Sequence, residues 1–299
     1  MQNMDTLAVQ SEFCGSNRFS IVWRWHKNNT KNPIGGSFFV AIDSSLTEDA
    51  AALAEMRAIY YLLEEAQVHG INRLGNGICI EQSFGSIRKS LLKNSLKKTG
   101  IGKTQKAQIA NAVEFLATKY FGASVSVNGK AKEYTFKSFD KSDIELKQDY
   151  PRATLPCELL GLEIAISRHA LYRQVARIDQ KITHPNLLGD LSEVPDARFE
   201  AGWVWLRRVL SSDKLQEMRV RKGAAHKTPL QYASARYLHF ADSEVPAVVV
   251  IDEDARGWVA KTILRADQSQ FLDWPAYVVG QSLVPARIFE RHRQTKDRS

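Results

Sequence analysis

From His169 to Arg177 the chain reads HALYRQVAR, a run that on a helix sets His169, Arg173 and Arg177 four residues apart along one face. One imidazole and two guanidiniums so placed can hold a phosphate, bidentately through arginine, while the histidine gives or takes a proton. Metal-free RNA cleavage needs a base for the 2′-hydroxyl, an acid for the leaving oxygen and cations on the developing phosphorane charge. His169 is therefore the candidate catalytic residue. A basic helix whose histidine only packs or caps locally gives the same pattern. Gripping a phosphate needs cations alone, whereas catalysis needs a partner that the sequence does not identify, so gripping is the preferred role.

A second basic feature runs from Gln82 to Val113, where no acidic residue occurs and Arg88, Lys89, Lys93, Lys97, Lys98, Lys103 and Lys106 do. Read as a helix from Phe84, it turns Phe84, Ile87, Leu91 and Leu96 inward and strings Lys89, Lys93 and Lys97 along an outward stripe that can track phosphates. Arg207 and Arg208 add two cations beside Trp203, Trp205 and Leu206. Those aromatics can stack bases, although tryptophan at helical spacing also builds cores. His184 and His226 lie in loop-like sequence. GIGKTQK is an incomplete phosphate loop, and GxSxG, HExxH and GxGxxG are absent. No metal site and no cofactor are expected.

The 299 residues hold 41 Lys and Arg against 33 Asp and Glu, a net charge of +8. An excess of this kind favours polyanionic partners, with nucleic acid ahead of an anionic membrane because no apolar anchor accompanies it. Other protein subunits of a complex are further candidate partners. No run reaches the roughly 18 apolar residues of a membrane span, and the start has no basic region followed by an apolar core, so the chain reads as cytoplasmic. Cys14, Cys79 and Cys157 are odd in number and widely spaced, which indicates neither a disulfide framework nor a zinc site.

The elements that must position these residues fall into two halves. Arg18 to Trp25 and Gly36 to Asp43 are β-rich runs joined by turn residues, a hairpin pattern. Thr47, followed by Glu48 and Asp49, opens a helix to about Val68 with Leu53, Met56, Ile59, Tyr60 and Leu63 on its core face, and Gly70 closes it. Gly77 to Gln82 is a strand. The lysine-striped helix and a second helix from Thr104 to Tyr120 follow. Gly122 to Val127 and Lys132 to Phe136 read as a hairpin about Asn128-Gly129. The expected organisation is an α/β domain over 1–140, a charged, proline-marked linker over 141–158 and a smaller, basic, antiparallel α+β domain over 159–299. That second domain starts with a strand from Leu159 to Ile166 and a helix from Ser167. A helix from Arg198 to Leu210 and late antiparallel strands complete it.

The run FFVAIDSSLTEDAAALAEMRAIYYLLEEA, followed by GICIEQSFGSIRKSLL, resembles the middle of the ribonuclease H fold. There, a strand leads into a helix carrying a glutamate, and the next strand ends in an aspartate before a basic helix. Glu55 matches the helical glutamate, and Gln82 stands where the family has the strand-ending aspartate. Taking Arg18–Trp25 as the first strand puts Arg24 or Trp25 where the family has its first metal-binding aspartate. Two-metal hydrolysis needs several converging carboxylates. The resemblance, over residues 18 to 128, therefore implies a degenerate ribonuclease-H-like platform without the cutting chemistry. Glu55 as a residue of a polar helix face is the alternative. Ile166 to Leu264 is similar to barnase- and colicin-like ribonuclease toxin domains, which implies His239 or Lys261 as partners of His169.

The combined expectation is a nucleic-acid-binding protein, a non-catalytic or assembly subunit of a nucleic-acid-processing, mobile-element or defence system. Its alternative is a metal-independent endoribonuclease acting through His169. A metal-dependent nuclease built on Asp43, Glu55 and Glu81 ranks last, because those carboxylates are out of register.

Overall fold

Asp5–Phe13, DTLAVQSEF, puts Leu7, Val9 and Ser11 on one side and Ala8, Gln10 and Glu12 on the other, and forms strand β1. The computed structural model describes residues 4–28, 33–43, 49–71, 73–93, 109, 112–127, 138–147, 152–179, 194–218, 235–242, 244–254, 257–266, 276–279 and 282–285. Two units, Met1–Ala153 and Thr154–Ser299, divide the chain. Each holds one mixed sheet.

In the first unit, β1, β2 (Arg18–His26) and β3 (Ile34–Ala41) form an antiparallel meander. Strand β4 (Ile78–Gln82) lies parallel to β1 on its free side, and β5 (Ser124–Val127) lies parallel outside β4. Strand β6 (Ser138–Lys147) pairs parallel with β3, which completes the order β5-β4-β1-β2-β3-β6. Helix α1 (Ala50–Tyr60) widens into a π turn over Tyr61–Glu65. Its Leu53, Met56 and Ile59, with Leu62 and Leu63 of the turn, are buried, as are Leu7, Val9, Ile21, Phe38 and Ile80 of the sheet. Each such side chain contributes about 1.5–3 kcal/mol of burial. Helix α2 (Gly85–Lys93) follows β4, and α3 (Glu114–Thr118) sets Phe115 edge-on against Tyr60 at 5.2 Å.

The second unit orders its strands β14-β13-β9-β10-β11-β12-β8-β7. They are β7 (Thr154–Cys157), β8 (Leu162–Ile166), β9 (Leu215–Met218), β10 (Arg236–Phe240), β11 (Ala247–Asp254), β12 (Gly257–Arg265), β13 (Ala276–Val279) and β14 (Ser282–Pro285). The β8–β12 pair is parallel, spans only Val259 and Ala260 on β12, and makes this sheet mixed rather than antiparallel. Helix α4 (Arg168–Gln174), extended by a π turn over Val175–Asp179, packs along β12, and α5 (Asp196–Leu210) packs on α4. Ser167 caps α4, its Oγ accepting from the Ala170 N–H at 3.1 Å. This sheet has eight described strands against six in the first unit.

Two further expectations change. The meander begins at β1, not at Arg18. Residues 138–147, expected as domain end and linker, pair with β3 as β6, and 154–157 form β7, so no linker spans 141–158. Among the described residues β5 lies at the edge opposite β6, and the expected hairpin partner, Asn128-Gly129 with Lys132 to Phe136, lies outside them. Thr47, Glu48 and, of the second predicted helix, residues 104–108, 110 and 111 also lie outside them. Cys14, Cys79 and Cys157 are free thiols.

Gly75 rests on the turn between α3 and β5, where a Cβ would stand 2.6 Å from Tyr120 O and Ala123 N. Backbone cannot yield there, so Gly75→Ala is expected to cost about 1–3 kcal/mol in urea unfolding. Gly85→Ala, at the open first residue of α2, is expected to be neutral or stabilising by about 0.4–1 kcal/mol.

Candidate functional site

Strands β1, β4 and β5 run parallel, so their carboxyl ends share one edge of the sheet, and α1 lays Glu55 against it. The Glu55 side chain is fully buried. Its Oε1 accepts from the Ser11 backbone N–H at 2.8 Å and from the Ser11 hydroxyl at 3.1 Å. Its Oε2 accepts from the Ser83 N–H at 2.8 Å. One carboxylate thus ties the end of β1 to the residue that follows β4. Burial raises the Glu55 pKa above its ordinary value, and the hydrogen bonds from Ser83 and Ser11 oppose that rise.

Gln82 is equally committed and fully buried. Its Oε1 accepts from the Phe84 N–H at 2.6 Å, and its Nε2 donates to Ser126 O at 3.2 Å. These residues do not fit the metal site that the ribonuclease H resemblance implies. Both Glu55 oxygens already face N–H and O–H donors, and the other two side chains are a serine and an amide. The residue of β1 that meets Glu55 is Ser11, so neither Arg24 nor Trp25 stands at this place. Arg24 reaches instead across Ala8, on the opposite face, toward Glu81 at 3.9 Å. Asp43, Glu55 and Glu81 are not brought together, and no cluster of three metal-ligating side chains occurs among the described residues. Glu55 is also no polar-face residue. Sequence reasoning misses Ser11 and Ser83, although the alternation of DTLAVQSEF is a visible strand signal.

Helix α2 opens two residues beyond Ser83. Ile87 is buried beneath it, while Arg88 and Lys89 are exposed. Lys93 ends the helix, and Lys97, Lys98, Lys103 and Lys106 lie outside the described residues.

In the second unit, His169 and Arg173 share α4, and Arg177 follows in its π turn. Arg173 Nε donates to His169 Nε2 at 3.2 Å, and Arg177 Nη1 donates to Ile263 O at 3.0 Å. His169 is exposed as a residue, yet neighbouring atoms crowd its ring. That crowding, then the charges of Arg173 and Arg177, push its pKa down to about 4. Burial lowers Arg173, and burial with the Arg173 charge brings Arg177 to about 10. Of the partners expected for His169, Lys261 faces Asp254 at 3.6 Å and His239 is buried on β10, two strands from β12. Trp203 and Leu206 are core residues, Arg207 is half-buried and Arg208 exposed. No described helix is long and apolar enough to cross a membrane.

No family model and no curated protein matches the chain. Among solved structures it is similar to ribonuclease H1 from the halophilic archaeon Halobacterium salinarum NRC-1, at 14% identity and a TM-score of 0.28. That match covers 43% of this chain and 88% of the other. A likeness at this level decides neither fold nor function.

Glu55→Gln presents an amide N–H to a backbone N–H and is expected to cost about 1–3 kcal/mol of stability. The folded-state pKa of Glu55 lies above its unfolded value, so folding favours its protonated form. The resulting contribution is complete below the ordinary value of 4.5 and is lost as pH rises through the raised value. The gap between wild type and Glu55→Gln is therefore expected to be widest in acid and to narrow toward neutrality in urea unfolding across pH.

Proposed function

We propose that this chain binds nucleic acid through basic surfaces without cutting it, as a non-catalytic subunit of a nucleic-acid-processing assembly. One observation carries the reading: a basic helix opens directly from a strand end whose neighbouring carboxylate is wholly occupied by backbone and hydroxyl donors. In open α/β sheets, ligands bind outside the carboxyl ends of the strands, where the chain connections diverge. Between β1 and β4 that place holds Ser11, Ser83 and the start of α2. Arg88 and Lys89 then offer cations to phosphates without the carboxylates that would hold hydrolytic metal ions.

A meander leading into a helix with Glu55, then a parallel strand ending at Gln82 before a basic helix, agrees with a degenerate ribonuclease-H-like unit. Metal-independent cleavage through His169 has less support. At neutral pH a group with a pKa of about 4 is a weak base, and its Nε2 already accepts from Arg173.

Reversing both exposed cations, Arg88→Glu with Lys89→Glu, is expected to weaken oligonucleotide binding about tenfold or more. The slope of log affinity against log salt should fall by about 0.7–0.9 for each phosphate that the variant no longer neutralises. The oligonucleotide should stay intact with magnesium or with a chelator. Unchanged affinity, or cleavage that the chelator abolishes, contradicts the proposal.

A further inference from the structure

We infer that Arg173 and His169 form a site for a single phosphate group, while Arg177 holds the helix to the sheet and does not touch the ligand. This rests on the nucleic-acid reading only for one source of that group, the backbone phosphate; a free phosphate is the other source.

Arg177 is already committed. Strand β12 pairs with β8 only at Val259 and Ala260, so its outer edge beyond Ala260 has no strand beside it among the described residues. The Ser167 hydroxyl donates to Ala260 O at 2.7 Å, and Arg177 donates to Ile263 O at 3.0 Å. Together they satisfy carbonyls that a neighbouring strand would otherwise take. Arg173 differs, because its Nη1 is buried and meets no acceptor among the described residues. A buried guanidinium N–H without an acceptor is costly, and a phosphate oxygen removes that cost with a charge-assisted hydrogen bond.

The tautomer of His169 follows from the same contact. Arginine Nε can only donate, so His169 Nε2 accepts and the ring proton sits on Nδ1. The donors left open on this pair are therefore Arg173 Nη1 and His169 Nδ1–H. Protonating Nε2 sets two N–H groups against each other and releases Arg173 Nε toward an anion as well. Anion binding and proton uptake from solvent consequently favour each other.

Among the described residues, acids and bases both lie on the elements packed around this helix. Strand β12 contributes Lys261, held by Asp254, and Arg265. Helix α5 contributes Asp196, Arg198, Glu200, Arg207 and Arg208, with Arg198 paired to Asp179 at 2.8 Å. Neighbouring β8 adds Glu163. None of these carboxylates contributes to the His169 shift, which comes from crowding, Arg173 and Arg177. A bound dianion offsets the charges of Arg173 and Arg177 and so raises the His169 pKa from about 4, while the larger lowering by burial stays in place. As pH falls from the raised value toward about 4 the affinity should rise, by up to about tenfold per pH unit.

The test uses the full chain with inorganic phosphate and with sulfate, since phosphate itself titrates near pH 6 and sulfate does not. Calorimetry should show sulfate binding that strengthens from about pH 7 to about pH 5, and the His169 ring proton should titrate higher by NMR when sulfate is present. Arg173→Gln should abolish binding. His169→Gln should retain it with a flat pH profile. Arg177→Met should keep anion affinity within about twofold while lowering the melting temperature. Loss of sulfate binding in a folded Arg177→Met variant overturns the assignment, as does a His169 titration that sulfate leaves unmoved. An RNA oligonucleotide separates the sources: weaker RNA binding by Arg173→Gln supports a backbone phosphate, and unchanged RNA binding by the same variant, once it no longer takes sulfate, supports a free phosphate group. Sulfate binding in a chain that does not hold RNA keeps this site and refutes the nucleic-acid reading instead.

Discussion

Glu55 carries an ionisable carboxyl group into the core and receives three hydrogen bonds there, two from backbone N–H groups that belong to different strand ends. A buried charge is tolerable only when donors surround it, and a backbone N–H without an acceptor is costly in turn. The two needs are met by one contact. Through it α1, the end of β1 and the start of α2 hold fixed positions, and Gln82 extends the same fastening to β5 and Phe84. A catalytic metal site would require these oxygens to face outward toward cations. Here they face inward toward the protein's own backbone.

The second unit presents the opposite imbalance. Burial, and after it the charges of Arg173 and Arg177, keep His169 neutral. Arg177 finds a carbonyl on β12 beyond its pairing with β8, which leaves Arg173 with a donor that meets no acceptor among the described residues. In the first unit a carboxyl group is enclosed by donors, and in the second a set of donors lacks an anion. The difference separates a fastening from a binding surface, because only the second gains by taking up a ligand.

Much of this is legible in the sequence where local chemistry decides structure. The hairpin strands β2 and β3, the core face of α1, the helix start at Ser167 and the late antiparallel strands all follow from periodicity and turn residues. Strand β1 is harder to read, because its alternation mixes small and polar residues at the start of the chain, and missing it displaces the first strand onto Arg18–Trp25. The expected linker fails for a related reason. SFDKSDIELK is charged and polar, yet at a sheet edge one face of a strand meets water and tolerates such residues. Ser11 and Ser83 are invisible as site residues because they act mainly through backbone N–H groups, which no side-chain motif records. The α4 cluster is legible as a set, but the division between Arg173 and Arg177 depends on which of them reaches Ile263 O across a sequence separation no pattern reveals.

The central claim is that Glu55 is closed to cations by its own backbone partners. Backbone amide NMR of Ser11 and Ser83 during a magnesium titration tests it most directly, since both amides donate to the carboxylate that a metal ion would have to claim. The account predicts two signals that are slow to exchange with solvent and do not move as magnesium reaches millimolar concentrations. Saturable shifts of both signals, with loss of their protection from exchange, would contradict it.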